Sequence, residues 1–299
     1  MGFDTAPLGS AASHRDADLE AQYALRRRHP ERTAVYEAFA GRSAALRHKW
    51  PGFFSHRYLD DDPLEAPATA IDFFPAKTKG PAPLFIFIHG GYWRALDRSI
   101  FSFIAQPWLD RGVHVALPGY QLAPTRSVAQ IVSQVRRACA CIRAHAADWQ
   151  IDLDRVLVSG HSAGAQLGAF SLDPSFEGPA LGSSALGFIG ISGVFDLRPL
   201  LRTSINDDLL LTESQTQALS PAFHAPPPFA RFLCAAGGAE TTGFKDQSID
   251  QVKRWQQLGR QAQYLEASGR THFDILEDLA HADAPLFRQA WSLLDDHGP

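Results

Sequence analysis

The feature that most constrains this chain is a five-residue turn, Gly160-His161-Ser162-Ala163-Gly164, set between two regular segments. Val156-Leu157-Val158-Ser159 runs into it with strand character, and residues 162–172 follow with helical character. A chain that passes from strand to helix through so few residues must turn sharply. Glycines on either side of the serine leave room where a Cβ would meet neighbouring backbone. Such a turn lifts a serine hydroxyl above the end of a sheet.

The surrounding pattern repeats the same exchange of strand and helix. Strands are expected at 69–74, 84–88, 113–117, 156–159, 186–191, 232–236 and 263–266. Helices are expected at 99–109, 128–145, 162–172 and 246–258, with two more at the C-terminus. Leu84-Phe85-Ile86-Phe87-Ile88 is apolar throughout, as a strand covered on both faces should be. The class is therefore α/β, a mostly parallel central sheet with helices on both faces. Upstream, residues 18–50 carry helical spacing broken at Pro30, and residues 1–17 are small and polar, an expected disordered tail. Residues 18–299 are expected to form a single domain, since 299 residues at 45% hydrophobic can bury one large core. The stretch 198–228, with Pro226-Pro227-Pro228, is too long for a simple connection and is expected to cap the site.

Charge and cysteine content narrow the function. The net charge of −4 and the lack of a basic cluster argue against nucleic acid or anionic membranes as partners. The run Arg26-Arg27-Arg28 reads as a solvated helix face. The three cysteines, Cys139, Cys141 and Cys234, form no CxxC and no even-numbered framework, which points to a reducing, cytoplasmic setting without structural zinc. No apolar run is long enough to span a membrane, and residues 1–20 lack an apolar core of the signal-peptide kind.

Two further segments fit chemistry around Ser162. His89-Gly90-Gly91-Tyr92-Trp93 follows the apolar strand 84–88 directly. Gly90 and Gly91 allow backbone N–H groups to approach a developing negative charge, with the N–H of Ala163 as the partner donor. The His89 side chain braces that loop, and His161 packs or caps. A base must follow the serine, and His272 lies in a loop between the strand 263–266 and a helix. His224 lies in the proline-rich insert, His281 on a helix surface and His297 at the chain end. For the acid, Glu240 leads because it follows the strand 232–236 and the turn Gly237-Gly238; Asp196 is second and Asp246 third. Asp246 and Asp274 each stand where a helix begins and read as caps.

These residues together resemble the kynurenine formamidase (arylformamidase) group of α/β hydrolases, including its bacterial esterase-like branch. The matching pieces are Leu19-Glu20-x-Gln22-Tyr23, His89 to Trp93, Gly160 to Gly164 and Ile191-Ser192-Gly193-Val194-Phe195-Asp196-Leu197. They continue with Ser220-Pro221, Gly238-Ala239-Glu240 and His272-Phe273-Asp274. The resemblance implies the α/β-hydrolase fold, Glu240 as the acid, and metal-independent hydrolysis of an N-formyl aryl amide or small ester. It departs from the usual pattern after the acid, where Thr241 replaces a serine and Asp246 precedes Gln247-Ser248.

The expected mechanism has Ser162 as nucleophile, His272 as base, Glu240 as orienting acid and a covalent acyl-enzyme, with no cofactor and no metal. Tyr92 and Trp93 are expected as an aromatic wall for a planar substrate, with Phe195 and Leu209-Leu210-Leu211 contributing from the cap. The partner is a small-molecule substrate; the oligomeric state stays open, a homodimer being one option. A broad carboxylesterase and an acyltransferase would use the same machinery. A non-catalytic binding module on the same fold would not need Ser162, Glu240 and His272 together.

Overall fold

The computed structural model describes residues 15–59, 67–181, 185–227 and 231–295. Eight strands form one sheet: β1 (Phe54–Arg57), β2 (Ala70–Phe74), β3 (Ala82–Ile88), β4 (His114–Pro118), β5 (Ile151–His161), β6 (Ala185–Ile191), β7 (Arg231–Gly237) and β8 (Ala262–Ala267). Their order is β1-β2-β4-β3-β5-β6-β7-β8; β2 is antiparallel to both of its neighbours, and every pairing from β4 to β8 is parallel. With its helices this is the α/β-hydrolase fold.

Alternation along the central strands builds two cores. Leu84, Ile86 and Ile88 face one side of the sheet, while Phe85 and Phe87 face the other. The first side is covered by α4 (Val128–Ala144), α5 (Ala163–Leu172) and α8 (Thr242–Gln257). The second is covered by α2 (Arg32–Lys49), the 3-10 turn Arg98–Ala105, α3 (Gln106–Leu109), α9 (Leu276–Ala280) and α10 (Pro285–Asp295). Phe85 stacks on Trp108 at 4.1 Å, and both are fully buried. Truncating Phe85 to alanine would cost about 3–5 kcal/mol by the usual transfer and cavity costs. Helix α4 begins with a reciprocal cap: the Gln130 N–H donates to Ser127 Oγ at 3.3 Å, and the Ser127 N–H donates to Gln130 Oε1 at 2.9 Å.

Several boundaries differ from expectation. Strand β1 was not read from the sequence; its residues alternate between half-buried and exposed, as at a sheet edge. Residues 98–105 are a 3-10 turn, because their apolar spacing fits either helix type and only a short α-helix, α3, follows. Helix α8 starts at Thr242, so Asp246 lies inside it and caps nothing. Of the expected tail, residues 1–14 lie outside the described residues. Residues 15–17 are docked: Asp16 caps α1 (Ala17–Tyr23) and donates its N–H to the Arg202 carbonyl at 2.9 Å.

Between β6 and β7 the chain makes 3-10 turns at Arg198–Arg202 and Pro221–Phe223 and two short helices, α6 (Asn206–Leu209) and α7 (Glu213–Ala218). This is the described part of the expected insertion 198–228; residue 228 lies outside the described residues. Among the described residues no helix is long and apolar enough to cross a membrane.

Candidate active site

Parallel pairing brings the C-terminal ends of five strands to one edge. Ile88 pairs with Gly160, His161 with Ile191, Ala235 with Ile191 and Gly237 with Ala267. The residues that follow these positions therefore converge.

Ser162 sits between β5 and α5 with φ +56° and ψ −120°, a backbone conformation that costs a non-glycine residue about 1–3 kcal/mol. The surroundings impose it. A Cβ on Gly160 would stand 2.1 Å from the Gly164 carbonyl oxygen, and one on Gly164 would stand 2.1 Å from the Ile88 carbonyl oxygen. Both glycines are thus required by backbone contact, and Ser162 is held by its N–H donating to Ile191 O at 2.8 Å.

His272, in the loop after β8, lies with Nε2 3.1 Å from Ser162 Oγ. Its Nδ1–H donates to Glu240 Oε2 at 2.9 Å. The other carboxylate oxygen of Glu240 accepts from Ser192 Oγ at 2.5 Å and from the Gly237 N–H at 2.6 Å. All three members of this chain are buried, with relative exposures of 1% for Ser162, 4% for His272 and 8% for Glu240. A hydroxyl, an imidazole and a carboxylate bonded in this series can move a proton off the hydroxyl and hold the resulting imidazolium.

The other acid candidates lie elsewhere. Asp196 pairs with Arg198 at 2.7 Å, and Asp246 is exposed on α8. Asp274 does not cap α9. Its Oδ1 accepts from the Thr271 N–H at 2.6 Å and Thr271 Oγ1 at 2.7 Å, closing the turn that carries His272.

Two further histidines hold the site's backbone. His161 Nε2–H donates to the His272 carbonyl at 2.9 Å, and burial, with His272 close by, keeps its imidazole neutral well below the ordinary range. His89 stacks on Tyr120 at 4.2 Å, and its Nδ1–H donates to the Gly90 carbonyl at 2.8 Å. Burial pushes the His89 imidazole down to about 4. Both rings are neutral at neutral pH and act as braces.

The loop after β3 is strained through consecutive residues: φ is +112° at Gly91, +52° at Tyr92 and +56° at Trp93. A Cβ on Gly91 would stand 2.1 Å from the Ala95 carbonyl oxygen, and one on Gly90 would reach 3.0 Å from Ser162 Cβ. The N–H groups of Gly90, Gly91 and Ala163 donate to no described residue.

A cavity opens above Ser162 with an empty volume of about 800 Å³ including its open mouth. Tyr92 lines it, and its hydroxyl donates to the Tyr23 carbonyl at 2.8 Å. Trp93 and Phe195 do not, which corrects their expected role as substrate wall. Trp93 is fully buried, with its indole N–H on Gln166 Oε1 at 3.0 Å. Phe195 is buried against Phe232 and fills the space that Gly190 and Gly193 leave open. Leu209 and Leu211 are buried, Leu210 is exposed, and none lines the cavity. Lining residues not read as site residues from the sequence include Leu25, Arg26, Arg27, Arg94, Ser204 and Phe273. Only Phe273 had a signal, its place beside His272.

Comparison with known proteins gives consistent matches. A family model described as BD-FAE matches residues 71–172, the span from β2 through α5. The kynurenine formamidase of Salmo salar is 30% identical over 220 residues, covering 72% of this chain and 74% of that protein. A solved structure from Silicibacter sp. tm1040, given a provisional thioesterase assignment, superposes with TM-score 0.80 at 30% identity, covering 91% of this chain and 98% of that one. A thermophilic esterase from Thermogutta terrifontis shares the fold with TM-score 0.66 at 19% identity, covering 84% and 96%.

Proposed function

Because the chain belongs to the kynurenine formamidase family of α/β hydrolases and is a hydrolase acting on a formamide or ester, we propose that it does so through Ser162 as a covalent nucleophile. The observation that carries this reading is the buried hydrogen-bonded series from Ser162 through His272 to Glu240 at the floor of an open cavity.

His272 takes the Ser162 proton as the oxygen attacks the substrate carbonyl carbon. Glu240 keeps the proton on Nδ1, so that Nε2 presents a lone pair to the hydroxyl, and then stabilises the imidazolium. The N–H groups of Ala163 and of the Gly90-Gly91 loop, which have no partner among the described residues, receive the oxyanion. The leaving amine or alcohol takes the proton from His272. Water, deprotonated by His272, then releases the acyl group and restores Ser162. Tyr92, Phe273 and Leu25 offer apolar surface in the cavity, which suits a small aryl formamide or aryl ester.

A fluorophosphonate probe tests the nucleophile. One adduct per chain, mapped by mass spectrometry to Ser162 and accompanied by loss of turnover, is the expected result. Labelling elsewhere, or none in folded protein, would refute it. A panel of N-formyl anilides against matched aryl esters then ranks amide over ester.

A further inference from the structure

The arginines at 26–28 are all exposed, as the solvated face read from the sequence should be, yet the structure gives them different surroundings. Arg26 and Arg27, on the 3-10 turn Leu25–Arg27, line the cavity that holds Ser162 and His272. Arg28 does not; its guanidinium donates to the Ala21 carbonyl at 2.9 Å. Among the described residues neither the Arg26 nor the Arg27 side chain makes a hydrogen bond or an ion pair.

The neighbouring charges hydrogen-bond to other groups, although Glu20 lies within electrostatic reach of Arg27 and Asp208 within reach of Arg26. Arg94, the third cavity guanidinium, is bonded to Asp208. Glu20, the cavity carboxylate, accepts from the Ser204 N–H at 2.7 Å and from its hydroxyl at 2.5 Å. Three guanidiniums against two carboxylates leave a positive surplus at the mouth of a site in a chain whose net charge is −4. Partial burial, and after it the closeness of Arg94 and Arg32, hold the Arg26 guanidinium below its ordinary value, with Tyr36 and Asp208 acting in the opposite direction. A guanidinium is weakly hydrated, stays charged and offers a planar fork of donors that matches a carboxylate or phosphate.

We propose that Arg26 and Arg27 form a recognition site for an anionic group, a carboxylate or a phosphate, on the substrate that Ser162 cleaves. The inference rests on the hydrolase reading above and narrows its substrate class: one end carries the scissile carbonyl, the other an oxyanion.

The test uses p-nitrophenyl esters of equal acyl length ending in a methyl, a carboxylate or a phosphate. In the wild-type enzyme kcat/KM for at least one anionic ester should exceed that of the neutral ester about tenfold, the scale of one charge-assisted hydrogen bond, and should fall with added salt. The responding arm identifies the anion. Arg26→Gln with Arg27→Gln should lower the anionic-to-neutral ratio about tenfold, chiefly through KM. The paired lysine variant should recover part of the loss, and Arg28→Gln should keep the wild-type ratio. A wild-type ratio of one or less, or a ratio the double glutamine variant does not move, overturns the proposal. Turnover that survives Ser162→Ala would instead overturn the catalytic reading. Calorimetric titration with glutaric acid monoanilide and with its phosphate counterpart is independent of turnover: equal affinity of wild type and the double glutamine variant for both would also overturn the anion site.

Discussion

The floor and the roof of the cavity are built by different physics. The floor is made at the C-terminal ends of β3, β5, β6 and β7, where nearly every position is buried and backbone meets backbone, with His272 reaching in from the loop after β8. The roof is made by α1, the turn after it and the segment that follows β6. In α1 only Tyr23 is buried, packed on Phe244, and polar contacts supply much of the rest of its attachment. Thr241 Oγ1 donates to Gln22 O at 2.8 Å, the Gly243 N–H donates to Gln22 Oε1 at 2.9 Å, and Glu20 accepts from Ser204. Each such bond contributes a net of about 0.5–1.5 kcal/mol, against the far larger cost of disturbing close-packed backbone. The contrast teaches that on the proposed reading the reacting groups stand on close-packed backbone, while the substrate meets side chains held by single hydrogen bonds.

The sharpest way to break this comparison is at the floor. Ser162→Ala should lower kcat by on the order of 10⁶, the scale found for a triad serine, with the fold retained by circular dichroism. A loss of only a few fold would move the chemistry elsewhere in the cavity. Glu240→Gln should cost on the order of 10⁴, the scale of an acid-to-amide change in a serine protease triad. Asp196→Asn, measured at matched melting temperature, should cost far less, because Asp196 pairs with Arg198 and not with His272. A reversed order would put the acid at the end of β6.

At the roof the expected effects are smaller and of another kind. Glu20→Ala removes both contacts to Ser204 and should raise KM several fold, while kcat moves less. An effect confined to kcat would mean that the roof also shapes the floor. The last effect is on stability rather than on turnover. His89 and His161 are neutral in the fold because burial lowers their proton affinity, whereas the unfolded chain protonates both near the ordinary histidine value. Below pH 6.5 the unfolded state therefore binds more protons, and stability should fall as pH drops from 6.5 towards 4. His224, raised chiefly by its bond to Asp173, has the opposite sign, one group against two. Melting temperatures across pH 7 to 5.5, above the range of most carboxylates, check the sign, and a flat profile would refute it.

The same contrast explains what could be read from the residues alone. Strands β3, β5, β6 and β7 were legible because continuous apolar runs announce burial on both faces. Gly160 to Gly164 and Glu240 were legible because backbone crowding and strand ends restrict residue choice. Strand β1 was missed because Ser55, His56 and Arg57 resemble a loop in composition, and an edge strand needs no apolar run. Trp93 and Phe195 stand beside functional loops, but position along a chain does not say which way a side chain points. Arg26 and Arg27 are solvent-facing as read, but only tertiary structure brings a cavity beside them.

The contact of Gly164 with the Ile88 carbonyl, and of Gly90 with Ser162, has a consequence for redesign. The gap between the serine and the loop after β3 is a main-chain ruler, which no choice of side chain can lengthen and any added carbon jams. A mutant library spread over residues 88–91 and 160–164 would return inactive clones almost throughout. A library of the same size over Leu25, Arg26, Arg27, Ser204 and Ile205, which line the cavity without crowding the serine turn, is expected to return mostly active clones with altered ester preference.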